Sequence, residues 1–134
     1  MVLHYREEVE EVRKVVPTGW VTSAQALVGQ VHVDESLVDY LLALAHATRK
    51  HPAAALGISP RGCLALQRTA RARALLYGRD YVIPDDVQEV APEVLQHRMI
   101  LAPEAELEGV TSRGVIEEIL DQTPVPSVGQ KRTA

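Results

Sequence analysis

Serine, proline and arginine stand together at Ser59-Pro60-Arg61, where a long predicted helix begins that ends near Gly78. A serine is a good N-cap and a proline suits the first helical position, so Arg61 belongs to the first turn. Its positive charge there lies beside unpaired backbone N–H groups and the positive end of the helix dipole. That placement is unfavourable unless an anion binds, and helix N-termini readily accept phosphate.

The arginines that follow extend this cationic stretch. From Ser59 to Arg79 the chain has no acidic residue and five arginines: Arg61, Arg68, Arg71, Arg73 and Arg79. A capped helix with solvated arginines would have the same local pattern. The pattern therefore indicates either phosphate binding or an ordinary exposed helix.

Other catalytic chemistry finds little support in the sequence. No Gly-Lys pair exists, so the glycine-rich phosphate loop of an ATP-hydrolysing site is not in this chain. Asp34 follows an apolar run, as a magnesium-binding acid would, but it is better interpreted as a helix N-cap. His46 and His51 do not share a helix face, and no ligand set for a metal is complete around them. Cys63 has no base beside it in sequence and is expected to be buried and inert.

Composition and charge limit the class of protein. The 134 residues form one predicted domain with 46% apolar residues, no Phe and one Trp. The net charge of −4 argues against general attraction to nucleic acid or an anionic membrane. The single cysteine fits a reducing compartment. No apolar run approaches the roughly 20 residues of a membrane span, and no signal peptide is visible. We therefore expect a cytoplasmic protein without membrane insertion.

The spacing of apolar residues predicts an all-α fold, a small bundle of about five to six helices with short extended connectors. The predicted helices cover about 5–16, 22–29 after a cap at Thr22 or Ser23, 34–49, 60–77, 84–97 with a kink or split at Pro92, and 112–120 after a cap at Thr111 or Ser112. Residues 1–18 are interpreted as a connector helix, 19–124 as the helical domain and 125–134 as a flexible tail. Tyr81 is predicted to lie in the core. Arg49, Arg79 and Arg98 could pair within the chain or face a neighbouring subunit.

Two motifs resemble the C-terminal lid domain of MoxR-type AAA+ ATPases: Gly57-Ile58-Ser59-Pro60-Arg61 and the run from Gly78-Arg79-Asp80-Tyr81 through Val87. Ala47-Thr48-Arg49 with His51-Pro52, the stretch 94–98 and the stretch 119–126 agree with the same family. Their order and spacing extend the resemblance over about residues 17–126, nearly the whole of the predicted domain.

The resemblance implies a lid that closes over ATP bound, with Mg²⁺, to a separate N-terminal AAA+ core. Arg61 would be the sensor-2 arginine, a catalytic residue only together with that core. The nucleotide-binding residues would be Gly57, Ile58, Ser59, Pro60 and Arg61. Gly62 stands where most relatives are expected to have alanine. This part alone is expected to hydrolyse nothing and to bind no cofactor tightly.

The resemblance also implies partners. They are the protein's own core, neighbouring subunits of a ring that is often a hexamer, and an unknown client protein that a chaperone-like parent remodels or activates. Two other classes remain open on the residues alone. One is a helical nucleic-acid-binding module, against which the net acidity stands, so no nucleic acid is expected. The other is a structural interaction domain whose arginines engage an acidic partner.

Overall fold

The computed structural model describes residues 12–127, which contain six α-helices and a two-stranded sheet. The elements are α1 (Trp20–Val28), α2 (Glu35–Lys50), β1 (Ala54–Leu56), α3 (Pro60–Leu76), α4 (Pro84–Leu95), a 3₁₀ turn (Gln96–Arg98), β2 (Ile100–Leu101), α5 (Pro103–Leu107) and α6 (Ser112–Gln122). The predicted all-α bundle is confirmed.

Three helices begin where their capping residues predict. The Asp34 carboxylate accepts the Ser36 N–H at 2.9 Å and starts α2, so the N-cap interpretation of Asp34 is confirmed. Thr111 caps α6 in the same way by accepting the Gly114 N–H. Ser59 caps α3. These helix starts depend on side chains that accept a backbone N–H two or three residues ahead, so the local sequence is sufficient to predict them.

Helix α3 is the centre of the bundle and packs against α1, α2 and α4, while α6 closes the other side against α2 and α4. Its apolar residues lie nearly all round the helix in sequence, but only one face is fully buried. The buried residues form a single stripe, and Leu64 and Leu76 are exposed. The stripe has a spacing of four residues: Gly62, Leu66, Ala70 and Ala74.

Helix α4 continues through Pro92 to Leu95, so the predicted split does not occur. A proline inside a helix removes one backbone hydrogen bond and costs about 3 kcal/mol or more. Val87, Ala91, Pro92 and Leu95 are all buried. Their burial offsets that loss, since an aliphatic side chain gains roughly 1.5–3 kcal/mol when it leaves water.

The N-terminal part differs from its prediction. Residues 12–19 contain no helix, and the rest of the predicted helix 5–16 lies outside the described residues. Helix α1 begins at Trp20, earlier than a cap at Thr22 or Ser23 would allow. The Gly19 carbonyl accepts the Ser23 N–H at 3.0 Å, so backbone bonds start the helix without a side-chain cap.

Strand β2 lies in one of the predicted extended connectors, whereas the periodicity missed strand β1 and helix α5. Strands β1 and β2 pair antiparallel, with Ala54 opposite Leu101 and Leu56 opposite Ile100. Helix α5 has five residues, too few to show an apolar period, although Pro103 and the acids after it suit a first turn.

Tyr81 was predicted to lie in the core, but 47% of its surface is exposed. The extended backbone at this point bridges His32, whose N–H donates to the Asp80 carbonyl at 2.7 Å and whose carbonyl accepts the Val82 N–H at 2.9 Å. Alternation along this strip turns Val82 inward and Tyr81 outward. No helix in the described part of the chain is long and apolar enough to span a membrane.

Candidate functional site

The segment before α3 lies directly on the last turn of α2. A Cβ atom at Gly57 would come within 2.6 Å of the backbone N and Cα and the side-chain Cγ of Arg49. Real Cβ atoms do not approach other atoms so closely, so only glycine permits this contact. The backbone at residue 57 is thereby seated against α2.

Ile58 is held from both sides by two consecutive residues of α2. Its N–H donates to the Thr48 hydroxyl at 2.9 Å, and its carbonyl accepts the Arg49 Nε–H at 3.0 Å. The Thr48 hydroxyl in turn donates to the Ala45 carbonyl at 2.7 Å. The Ile58 side chain is 1% exposed. Ile58 therefore anchors the segment in the core.

Ser59 and Pro60 are exposed and begin α3. The Ser59 hydroxyl accepts the Gly62 N–H at 3.3 Å, and Pro60 takes the first helical position. The predicted capping arrangement is confirmed. Arg61 therefore lies in the first turn, as expected from the sequence.

The Arg61 side chain is exposed, and none of its nitrogens has a hydrogen bond or ion pair among residues 12–127. The first turn of α3 contains no acidic residue. The guanidinium thus adds a positive charge to the positive end of the helix dipole with no internal compensation. An anion presented from outside would be attracted to this point.

Gly62 has a steric role that the sequence did not reveal. A Cβ atom at Gly62 would lie 2.6 Å from Ile58 Cγ2 and 3.6 Å from Arg98 Cδ. The Ile58 methyl group is buried and attached to a branched carbon, so it cannot swing away. Glycine at this position makes room for Ile58.

The three arginines left undecided by the sequence have different partners. Arg79 binds Asp86 through two parallel bonds, Nη1 to Oδ2 at 2.6 Å and Nη2 to Oδ1 at 2.7 Å. Arg49 bonds the Ile58 carbonyl, and Arg98 donates from Nε to the Val94 carbonyl at 3.1 Å. Arg79 therefore makes a structural ion pair within the chain, whereas Arg49 lies beside the segment that precedes Arg61.

Asp86 lies in the first turn of α4, where an acid suits the helix dipole, and it has a further role. Its carboxylate is 1% exposed and accepts the Ile83 N–H at 2.9 Å. In addition to its two bonds from Arg79, it lies 3.5 Å from Arg73 Nε. Two of the α3-region arginines therefore compensate a buried acid. Arg79 and Asp86 are seven positions apart, and the sequence left open whether Arg79 pairs within the chain or faces a neighbouring subunit.

Cys63 is half-buried, less than predicted. Burial raises the pKa of the Cys63 thiol and outweighs the charge of Arg49, which acts in the opposite direction. The protonated thiol is a poor nucleophile, which agrees with the expectation of an inert side chain. Within the described residues, no three His, Cys, Asp or Glu side chains group together as metal ligands.

Comparison with known proteins finds relatives of this domain. Residues 46–119 match the AAA lid domain family. An uncharacterized protein of Bacillus subtilis, YeaC, is 47% identical over 102 residues, which are 76% of this chain and 32% of that protein. The chaperone MoxR1 of Mycobacterium tuberculosis is 35% identical over 127 residues, 88% of this chain and 34% of that protein.

A solved structure from Cytophaga hutchinsonii, of a protein named as a candidate ATPase, superposes with a TM-score of 0.73 at 37% identity. The match covers 76% of this chain and 34% of that one. The chain thus spans about a third of the length of the relatives that it matches. The family match includes Thr48, Arg49 and the whole segment from Gly57 to Arg61. The chain belongs to the AAA lid domain family and is similar to its MoxR members.

Proposed function

We propose that this chain is the lid of a MoxR-like AAA+ ATPase and that Arg61 is its sensor-2 arginine. Arg61 reaches from the lid toward the γ-phosphate of an ATP molecule, which a separate core domain holds with Mg²⁺. The observation that carries the proposal is the exposed Arg61 side chain, which has no compensating acid among the described residues.

The electrostatics favour such a sensor. A charged hydrogen bond between arginine and phosphate in a partly desolvated cleft is worth about 1.5–3 kcal/mol. Coupling energies of about 1–3 kcal/mol are typical of sites that communicate within a protein. One arginine–phosphate contact is therefore sufficient to bias a lid toward its closed position.

The remaining site residues divide into two roles. Ser59 and Pro60 are exposed and Gly57 is half-exposed, so these three can approach the base and ribose of a nucleotide. Ile58 is buried, and its backbone N–H and carbonyl are both bonded to α2. Ile58 accordingly serves the site by holding its neighbours in place.

The parent protein is a cytoplasmic ring, often a hexamer in this family, that uses ATP in a chaperone-like role on a client protein. The name of the Mycobacterium tuberculosis relative supports the chaperone-like role. Helix α1 supplies apolar surface of the kind that contact with a core or a neighbouring subunit requires, because Trp20, Val21 and Leu27 are about half exposed.

The test replaces Arg61 with alanine in a protein that joins this chain to a nucleotide-binding core. That core is either the chain's own or the core of the Bacillus subtilis relative. In the second case, this chain replaces the matching third of that protein in a chimera. We expect kcat/KM for ATP hydrolysis to fall about 10- to 100-fold, the value of one charged hydrogen bond. The unfolding midpoint should not fall, since the Arg61 side chain has no hydrogen bond or ion pair within residues 12–127 to lose and its charge opposes the helix dipole.

Arg68→Ala is the matched control, because Arg68 is exposed on the same helix and lies two turns further along. It should leave ATP hydrolysis within about twofold of the wild type. Wild-type turnover in Arg61→Ala would remove the sensor role.

The nucleic-acid alternative depends on a continuous arginine surface. Arg73 and Arg79 are instead engaged with Asp86, which leaves a smaller cationic surface on this helix. Titration of the chain with duplex DNA at low salt checks this alternative. Binding that weakens steeply with added salt would revive it.

A further inference from the structure

The position of the Arg61 guanidinium depends on the backbone that carries it. Since the Arg61 side chain has no hydrogen bond or ion pair in the described chain, no polar contact there directs it. Its direction follows from the first turn of α3, which begins at the Ser59 cap. Whatever fixes the peptide between Ile58 and Ser59 therefore also aims Arg61.

That peptide is fixed by Arg49. The Arg49 Nε–H bonds the Ile58 carbonyl, which is the carbonyl of the peptide that leads into Ser59. The adjacent Thr48 hydroxyl holds the other side of Ile58 through its N–H. The close approach of Gly57 to Arg49 keeps the two segments in contact.

We propose that Arg49 is a positioning residue for the nucleotide site and acts through the Ile58 carbonyl to set the direction of Arg61. This inference rests on the proposed function of Arg61. Arg49 ends α2, where a cation also suits the helix dipole, but its Nε reaches nine residues ahead to another segment. It thereby links the end of α2 to the start of α3.

Arginine is suited to this role in a way that lysine is not. Its Nε–H is set back along the side chain and can bond a carbonyl while the two terminal Nη groups point to solvent. Lysine has its only N–H groups at the tip of the side chain. Arg49→Lys therefore keeps the charge and much of the length but loses the bond to Ile58.

The experiment is a double-mutant cycle in the protein with its nucleotide-binding core. It compares the wild type, Arg49→Lys, Arg61→Ala and the double variant by kcat/KM for ATP hydrolysis. We expect Arg49→Lys to lose about tenfold in the presence of Arg61, since small misplacements of a catalytic group are costly. With Arg61 already replaced by alanine, the same change should cost less than about twofold.

Arg113→Lys is the control, because Arg113 is an exposed arginine of α6 that binds Glu93 and Glu117 and does not belong to the site. It should leave kcat/KM unchanged. The unfolding midpoint of every variant is measured in parallel, so that a loss of stability is not mistaken for a loss of positioning.

Two results would overturn the positioning role while the sensor role of Arg61 survives. One is a wild-type rate for Arg49→Lys, which would show that the bond from Nε is not needed. The other is an equal loss in both Arg61 backgrounds, which would mean that Arg49 contacts the nucleotide itself or only stabilises the fold. A wild-type rate for Arg61→Ala would instead remove the proposed function and this inference together.

Discussion

Asp86 is a buried carboxylate that contacts two arginines from the end of α3 and the turn after it. Burial raises the pKa of its carboxyl, but the paired bonds from Arg79, the Ile83 N–H and the nearby Arg73 outweigh burial and hold the pKa below its usual value. Arg73 also lies over the Tyr77 ring at 4.8 Å. The end of α3 and the start of α4 are thus joined through one carboxylate.

Replacing this carboxylate should destabilise the fold in a pH-dependent manner. Because the folded pKa of Asp86 is lowered, its ionised form contributes stability above the unfolded value of about 3.9, and the contribution is lost as pH falls below it. Asp86→Asn should cost about 3 kcal/mol at neutral pH, and its difference from the wild type should shrink in acid. Urea unfolding near neutral pH and near pH 3 measures both effects.

Asp85→Asn provides the control, since Asp85 is exposed one residue earlier in the same helical turn. Its effect should remain within about 0.5 kcal/mol. An Asp86→Asn variant as stable as this control at neutral pH would show that the ion pair only offsets its own desolvation.

At the scale of the elements, Gly57 allows the segment before α3 to lie directly against the end of α2. A Cβ atom there would meet both the backbone and the side chain of Arg49. Gly57 meets the Arg49 backbone itself, whereas the obstacle at Gly62 is the Ile58 side chain. Backbone atoms cannot change rotamer to make room. The seating of α3 on α2 therefore depends on Gly57.

Gly57→Ala should force the two segments apart and destabilise the fold by about 2 kcal/mol or more. Chemical unfolding monitored by circular dichroism measures the change. Gly29→Ala is the matched control, because a Cβ there meets only the Ala26 carbonyl at an ordinary 3.5 Å and the residue has a helical φ of −62°. Equal stability of the two variants would contradict the steric role of Gly57.

Across the whole molecule, stability is unevenly distributed. Helices α2, α3, α4 and α6 supply most of the buried core, whereas α1 has no buried residue and exposes Trp20 to 50%. Elements with few buried apolar contacts open at low free energy. We therefore expect α1 to open locally more easily than the four helices that supply the core.

Amide hydrogen exchange should reveal this difference. Protection factors in α1 should lie at least about tenfold below those in α3, because α1 can open without exposing the core. Exchange measured by NMR or mass spectrometry on the folded chain gives both values at once, with α2 as an internal reference. Uniform protection across all three helices would show that α1 unfolds only with the rest of the molecule.

Local chemistry was enough to locate several features in advance. Asp34, Ser59 and Thr111 start helices because each side chain accepts a backbone N–H two or three residues ahead, and that interaction needs no distant partner. The same reasoning put Arg61 in a first turn. The order of short motifs then indicated the lid family, which the match over residues 46–119 confirms.

Tertiary contacts decided the rest. The pairing of β1 with β2, the bonds of Thr48 and Arg49 to Ile58, and the exposure of Tyr81 and α1 all depend on segments that the chain brings together only when it folds. Amphipathic spacing tells which residues are apolar, but not which neighbour covers them. For that physical reason the sequence predicts a cation at the start of α3, whereas only the packed bundle reveals the residues that hold it in place.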